Sequence, residues 1–179
     1  MKKYEFTGET KVMAGVTLKR IRALISFGFV AKGEIGGFIE DEKNLSPGGN
    51  AWVAGNALVA GNALVAGNAL VTDNALVAGN ALVAGNARVT GNARVADNAR
   101  VTDITDYMLI GSIGSRNDFT TFYKDIDGGI SVKCGCFSGT IEEFREKVEE
   151  THGTNTKHAK VYQAAANLAE VQILDQEAE

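Results

Sequence analysis

Valine returns at every sixth residue through the middle of this chain, at Val53, Val59, Val65, Val71, Val77, Val83, Val89, Val95 and Val101. Alanine stands two positions before each, and a Gly or Asp followed by Asn begins two positions after nearly every one. Residues two apart on an extended backbone point the same way, so Ala and Val share one side of a very short strand. The Gly/Asp-Asn step that follows is corner chemistry, because these residues adopt left-handed backbone angles cheaply. An α-helix is excluded: its 3.6-residue period would scatter the valines around the cylinder, and each interior glycine would cost about 1 kcal/mol. The 21 glycines beside a single proline fit this reading, since the glycine serves regular corners and not irregular loops.

The pattern resembles the hexapeptide repeat of left-handed parallel β-helices. That resemblance implies a triangular interior filled by the aliphatic residue and three hexads to a coil, so residues 50–103 would wind about three coils. Coils stacked about 4.8 Å apart would place each residue over the one 18 positions on, Val53 over Val71 over Val89, with the asparagines laddering likewise. Burying each valine contributes roughly 1.5–3 kcal/mol, but a stack of coils needs both open ends covered.

The residue before each valine points outward: Trp52, then Leu58, Leu64, Leu70, Leu76 and Leu82, then Arg88, Arg94 and Arg100. Leucine would therefore gird all three faces, with one arginine per face on the last coil. An apolar exterior needs cover. The resemblance implies a homotrimer packed side by side on these leucines; the other reading folds the C-terminal helices back over one or two faces.

Three segments are expected: N-terminal strands and a capping coil over 1–49, the repeat over 50–103, and a C-terminal α+β module over 104–179. In the first, the alternation from Val16 to Phe27 predicts a strand with Tyr4 to Val12 as its partner. Gly36-Gly37-Phe38-Ile39-Glu40-Asp41 and Asn44 to Gly49 read as degenerate coil segments closing one end. In the last, Tyr107–Ile113, Phe119–Asp125 and Gly129–Cys134 predict three short antiparallel strands. Thr140 and Glu143 form a capping box for a helix ending near Gly153, and a second helix runs from about Thr156 to Leu174.

Gly36-Gly37-Phe38-Ile39 leading into Asn-Ala-aromatic-Val hexads is similar to bacterial and phage hexapeptide-repeat proteins, the YdcK-like proteins of enteric bacteria among them, and the tail from Ile113 resembles a module attached to such repeats in phage and prophage proteins. Acyl transfer from a thioester cofactor is the activity this resemblance implies, and it would need a histidine base on a coil or an inserted loop. The repeat has neither; His152 and His158 both lie in the C-terminal helical region. A carbonic-anhydrase-like zinc centre would likewise need histidines in the repeat. A separate zinc site from Cys134, Cys136, His152 and His158 is a weaker pattern than paired Cys-x-x-Cys. Ice binding would need ranks of outward threonine, and Thr72, Thr90 and Thr102 are too sparse.

The glycine-rich stretch Cys134 to Thr140 runs into a helix start, where unpaired backbone N–H groups attract anions. Ser115, Arg116, Asn117 and Asp118 with Cys136, Ser138, Gly139 and Thr140 are therefore the candidate ligand site, Arg116 offering bidentate recognition of a phosphate. The net charge of -4, carried by the stretch after Asp103, argues against a broad nucleic-acid surface. No signal-peptide core and no apolar run of membrane-spanning length is present, so a cytoplasmic location is expected. The expectation is a non-catalytic trimer of phage or prophage type without a cofactor, whose C-terminal module binds a phosphorylated small molecule or nucleotide signal. An acyltransferase, and a purely structural rod with a host or phage protein partner, are the alternatives.

Overall fold

A computed structural model describes residues 2–174. Strands β1 (Tyr4–Met13) and β2 (Val16–Ala23) pair antiparallel around Ala14 and Gly15. Both turn residues have positive φ, 48° and 81°, as a two-residue hairpin turn matched to strand twist requires. The second strand stops at Ala23, short of the Phe27 that alternation predicted. Leu24 N–H is drawn to Lys3 O, and Phe27 and Val30 exchange both backbone hydrogen bonds around Gly28 and Phe29. That tight turn lays the Phe27 ring edge-on against Trp52, with centroids 5.6 Å apart.

Strand β3 (Ile35–Ile39) begins the stacked coils, and each hexad that follows contributes a two-residue strand from β4 (Trp52–Val53) through β5 (Leu58–Val59), β6 (Leu64–Val65), β7 (Leu70–Val71), β8 (Leu76–Val77), β9 (Leu82–Val83), β10 (Arg88–Val89) and β11 (Arg94–Val95) to β12 (Arg100–Val101). Hexad strands 18 residues apart pair in parallel, and β3 pairs with β5 at a spacing of 20, giving the face orders β3-β5-β8-β11, β4-β7-β10 and β6-β9-β12, a β-solenoid of about four turns. Hairpin β1–β2 extends the first face. Every repeat valine is fully buried. Backbone N–H groups of these strands donate to carbonyls 17 residues on, in the next coil, as Trp52 to Ala69 at 2.9 Å and Leu58 to Ala75 at 2.9 Å. At the corners Asn50, Asn68 and Asn86 ladder through their amides at 3.1 and 3.2 Å. Asp73 and Asp97 take the glycine corner conformation at φ 61° and 56°. The Asp73 carboxylate also accepts from Gly91 N–H at 2.9 Å.

This directional ladder leaves the carbonyls of the first coil needing donors, and each face supplies them differently. On one, β3 itself donates, Phe38 to Ala57 O and Glu40 to Val59 O. On the second, the buried Asn44 amide donates to Ala63 O at 2.8 Å and Gly61 O at 3.1 Å. On the third, Lys3 Nζ donates to Ala51 O at 2.9 Å, with Gly48 O and Gly49 O at 3.3 and 3.4 Å, and sits 5.0 Å from the Phe27 ring centre. An ammonium, with three donors and no acceptor, suits a group of unclaimed carbonyls. Removing it leaves buried acceptors unpaired, so Lys3→Met is expected to destabilise this unit by about 2 kcal/mol.

Burial lowers the Lys3 ammonium to about 8 from its ordinary 10.5. Between those values the unfolded chain binds more protons than the folded one, so stability rises with pH across that window. Tyr4 acts in the opposite sense higher up. Its hydroxyl is pushed up to about 12 by burial and then by Glu42 and Asp41, so stability falls above about 10. Urea unfolding followed by the fluorescence of Trp52, the chain's single tryptophan, should show the rise in the parent and none in Lys3→Met. A rise that persists in the variant would assign it to another group.

A second unit begins at Thr105. Strands β13 (Tyr107–Ile113), β14 (Asp118–Lys124), β15 (Ile130–Cys134) and β16 (Phe137–Thr140) form an antiparallel meander in that order. The fourth strand lies where the sequence suggests a glycine-rich turn. The turn is only Gly135-Cys136, with Gly135 at φ 60°, and Cys134 pairs directly with Phe137. Helices α1 (Ile141–His152) and α2 (Lys157–Ile173) follow. The Thr140–Glu143 capping box forms as expected, and Gly153 ends α1. Phe122, Ile130 and Val132 of the sheet meet Ile141, Phe144 and Val148 of α1 and Tyr162, Ala166 and Ile173 of α2 in one core. Arg145 ties the helices together through Gln163 at 2.6 Å and Glu170 at 2.7 Å. No helix among the described residues is long and apolar enough to cross a membrane.

Candidate functional site

In the second unit the β13–β14 loop, the β15–β16 hairpin, one face of α1 and Tyr162 of α2 enclose a cavity of about 480 Å³. Phe137, Phe144, Val148 and Tyr162 supply its apolar surface; Arg116, Lys147 and His152 are its basic groups; among the described residues no carboxylate lines it. Tyr162 reaches the cavity because Gly114 has no side chain. A Cβ there would lie 1.9 Å from both Cζ and the hydroxyl oxygen of Tyr162, and the glycine sits at φ 71°. The pKa of the Tyr162 hydroxyl is raised, first by burial and then by Cys134, against the opposing pull of Ser115 and Arg116. Thr120 donates to Cys134 Sγ at 3.2 Å. Arg116 Nη1 lies 3.8 Å from Cys136 Sγ and is folded across Gly135, where a Cβ would come within 2.9 Å of it. The His152 ring stacks on Tyr162, centroids 5.8 Å apart and planes 23° from parallel.

Of the residues singled out from sequence, Ser115, Arg116, Cys136 and Ser138 line this cavity, as do Cys134 and His152. Asn117, at φ 48°, ends the turn before β14, and Asp118 starts that strand, its carboxylate accepting from Phe119 N–H at 2.7 Å. Gly139 and Thr140 lead into α1. The N-terminus of that helix is filled by the chain's own Glu143, which accepts from Thr140 N–H at 2.9 Å and stands 2.4 Å from where a Gly139 Cβ would be. His158 has its ring centre 5.8 Å from that of His152. Among the described residues no three His, Cys, Asp or Glu side chains come together as a metal site. Lys147, Thr151, Phe144 and Val148 went unnoticed in the sequence as site residues. Their spacing along α1, three, four and seven residues apart, was the signal that puts them on one face.

In the first unit, Leu58 packs on Leu18, Phe38 and Ala60 beside Met13 and Val16, so the N-terminal hairpin covers its part of one face. Trp52 is buried under Phe27 and is not part of an exposed belt. Leu64, Leu70, Leu76 and Leu82 are half-buried. Leu64 and Leu82 stack directly, with Arg100 above them.

No family model matches the chain, and no curated protein matches it either.

Proposed function

We propose that this is a non-catalytic binding protein, in which the solenoid is a structural rod and the C-terminal unit captures a small anionic molecule with a flat apolar body, a nucleotide or another phosphorylated aromatic compound. The observation that carries this reading is the lining of the 480 Å³ cavity: three basic side chains, four apolar or aromatic ones and, among the described residues, no carboxylate, in a chain of net charge -4. Its size falls in the range of small-molecule sites, about 300–1,000 Å³. Half-buried Phe137 offers a ring surface above the buried rings of Phe144 and Tyr162, while Arg116 offers a planar fork matched to phosphate or carboxylate oxygens.

Calorimetry with a panel of nucleoside mono- and diphosphates tests the reading. Arg116→Ala is expected to weaken binding by about 1.5–3 kcal/mol, the range of a charge-assisted hydrogen bond, or roughly 10- to 150-fold. Retained affinity would remove Arg116 from the site, and a panel without any binder would overturn the assignment.

The proposal includes a homotrimer, supported by the half-buried Leu64–Leu82 stack on the face of the solenoid that begins at Leu45. Leu64→Glu with Leu82→Glu places two carboxylates on this apolar surface and is expected to reduce the mass measured by light scattering to that of a monomer. An unchanged mass would rule this face out as the interface.

A further inference from the structure

We infer that the Asn50–Asn68–Asn86 corner of the solenoid is a binding site for an acidic oligosaccharide. A recess of about 390 Å³ lies there, lined by Phe29, the three asparagines, Arg88 and Ile104. Phe29 is a large aromatic side chain held in the open, 66% exposed. It is also held firmly: Phe27 and Val30 close the turn beneath it with hydrogen bonds of 3.0 and 2.8 Å, and Gly28, at φ 51°, brings the loop so close to the corner that a Cβ would lie 3.1 Å from Asn50 Cβ. An aromatic ring offered on a fixed turn presents a flat apolar face on which a ligand can stack.

What lies beside the ring selects the partner. Along the ladder Asn50 spends one N–H, Asn86 one oxygen lone pair and Asn68 one of each, and a side-chain amide has two of both, so the row presents further donors and acceptors outward at coil spacing, about 4.8 Å. Hydroxyls ranked along a chain of sugar rings are the partners such a row of amides fits, and the apolar face of a pyranose fits the Phe29 ring. Arg88 lies 5.8 Å from the centre of that ring and no carboxylate among the described residues lines the recess, so an acidic sugar is favoured over a neutral one. The other asparagine corners carry the same amides, but the aromatic ring belongs to this one.

The full chain is tested on an array of acidic glycans (oligogalacturonate, hyaluronan fragments and sialylated oligosaccharides) with neutral cello-oligosaccharides for comparison, and the best binder is titrated by calorimetry. Binding is expected on acidic glycans. Phe29→Ala and Arg88→Ala should each weaken it about tenfold or more with the Trp52-monitored unfolding midpoint unchanged, while Phe29→Trp should keep it. Absence of binding to every acidic glycan, or full affinity in Phe29→Ala, would overturn the site; equal affinity for neutral chains would overturn the choice of an acidic ligand.

Discussion

Gly37→Ala should cost the solenoid unit about 3 kcal/mol, read as a lowered urea midpoint in Trp52 fluorescence. The added Cβ would stand 2.6 Å from Ala57 O, 2.9 Å from Val53 Cγ1 and 3.2 Å from Ala54 O. Two of these neighbours are backbone atoms of the first coil, and Ala57 O is already held by Phe38 N–H at 2.9 Å, so they cannot yield cheaply. Gly37 is not in the left-handed region, and alanine would therefore gain about 0.4–1 kcal/mol by restricting the unfolded chain. Overpacking costs about 1–3 kcal/mol or more and dominates. A midpoint unchanged or raised would mean that the first coil shifts freely against β3.

Gly114→Ala should have a comparable effect on the second unit, together with loss of ligand binding. The clash with Tyr162, at 1.9 Å, is far inside contact distance, and the positive φ adds strain of its own. Because Tyr162 belongs to both the core and the cavity, expelling it opens one and deforms the other. Unfolding followed by the helical circular dichroism signal, which α1 and α2 dominate, should show a loss of about 3 kcal/mol. A double-mutant cycle separates the causes: in a Tyr162→Ala background, Gly114→Ala should cost only about 1 kcal/mol, the price of φ alone. Equal costs in both backgrounds would show that Tyr162 does not press on Gly114.

The coils could be read from the chain because their signal is local and repeated. The Val period of six, the Gly/Asp-Asn corners and the 18-residue stacking each follow from a few adjacent residues, and Leu58, Leu76 and Arg94 fall in register as that arithmetic requires. The closure of the first coil was not legible. Lys3 matters because carbonyls more than 40 residues away lack donors, and nothing near Lys3 in the sequence says so. The strand predicted to Phe27 overshot because hydrophobic alternation continues through a turn that Gly28 permits. Strand β16 was missed for the reverse reason: glycine at the first central position of a two-residue hairpin looks like the start of a loop.

The candidate cavity was legible in part. Arg116 and Cys136 stand out by type, being a fork-shaped cation and a thiol in polar turns. Tyr162 and His152 do not, since an aromatic or a histidine on a helix is ordinary until tertiary packing places it. The helix start that suggested an anion cradle carries its own anion, Glu143, and this follows from the capping box already visible in sequence.

The mismatch between a sequence period of six and a spatial period of 18 makes the rod a counting device. Gain or loss of one hexad would carry every later hexad onto the next face, separating Leu64 from Leu82 and Asn50 from Asn68. Gain or loss of three would change only the length, leaving each ladder in register and the Lys3 and Asn44 closure untouched. The rod can therefore be lengthened in whole coils with its faces preserved, but any other increment scrambles them.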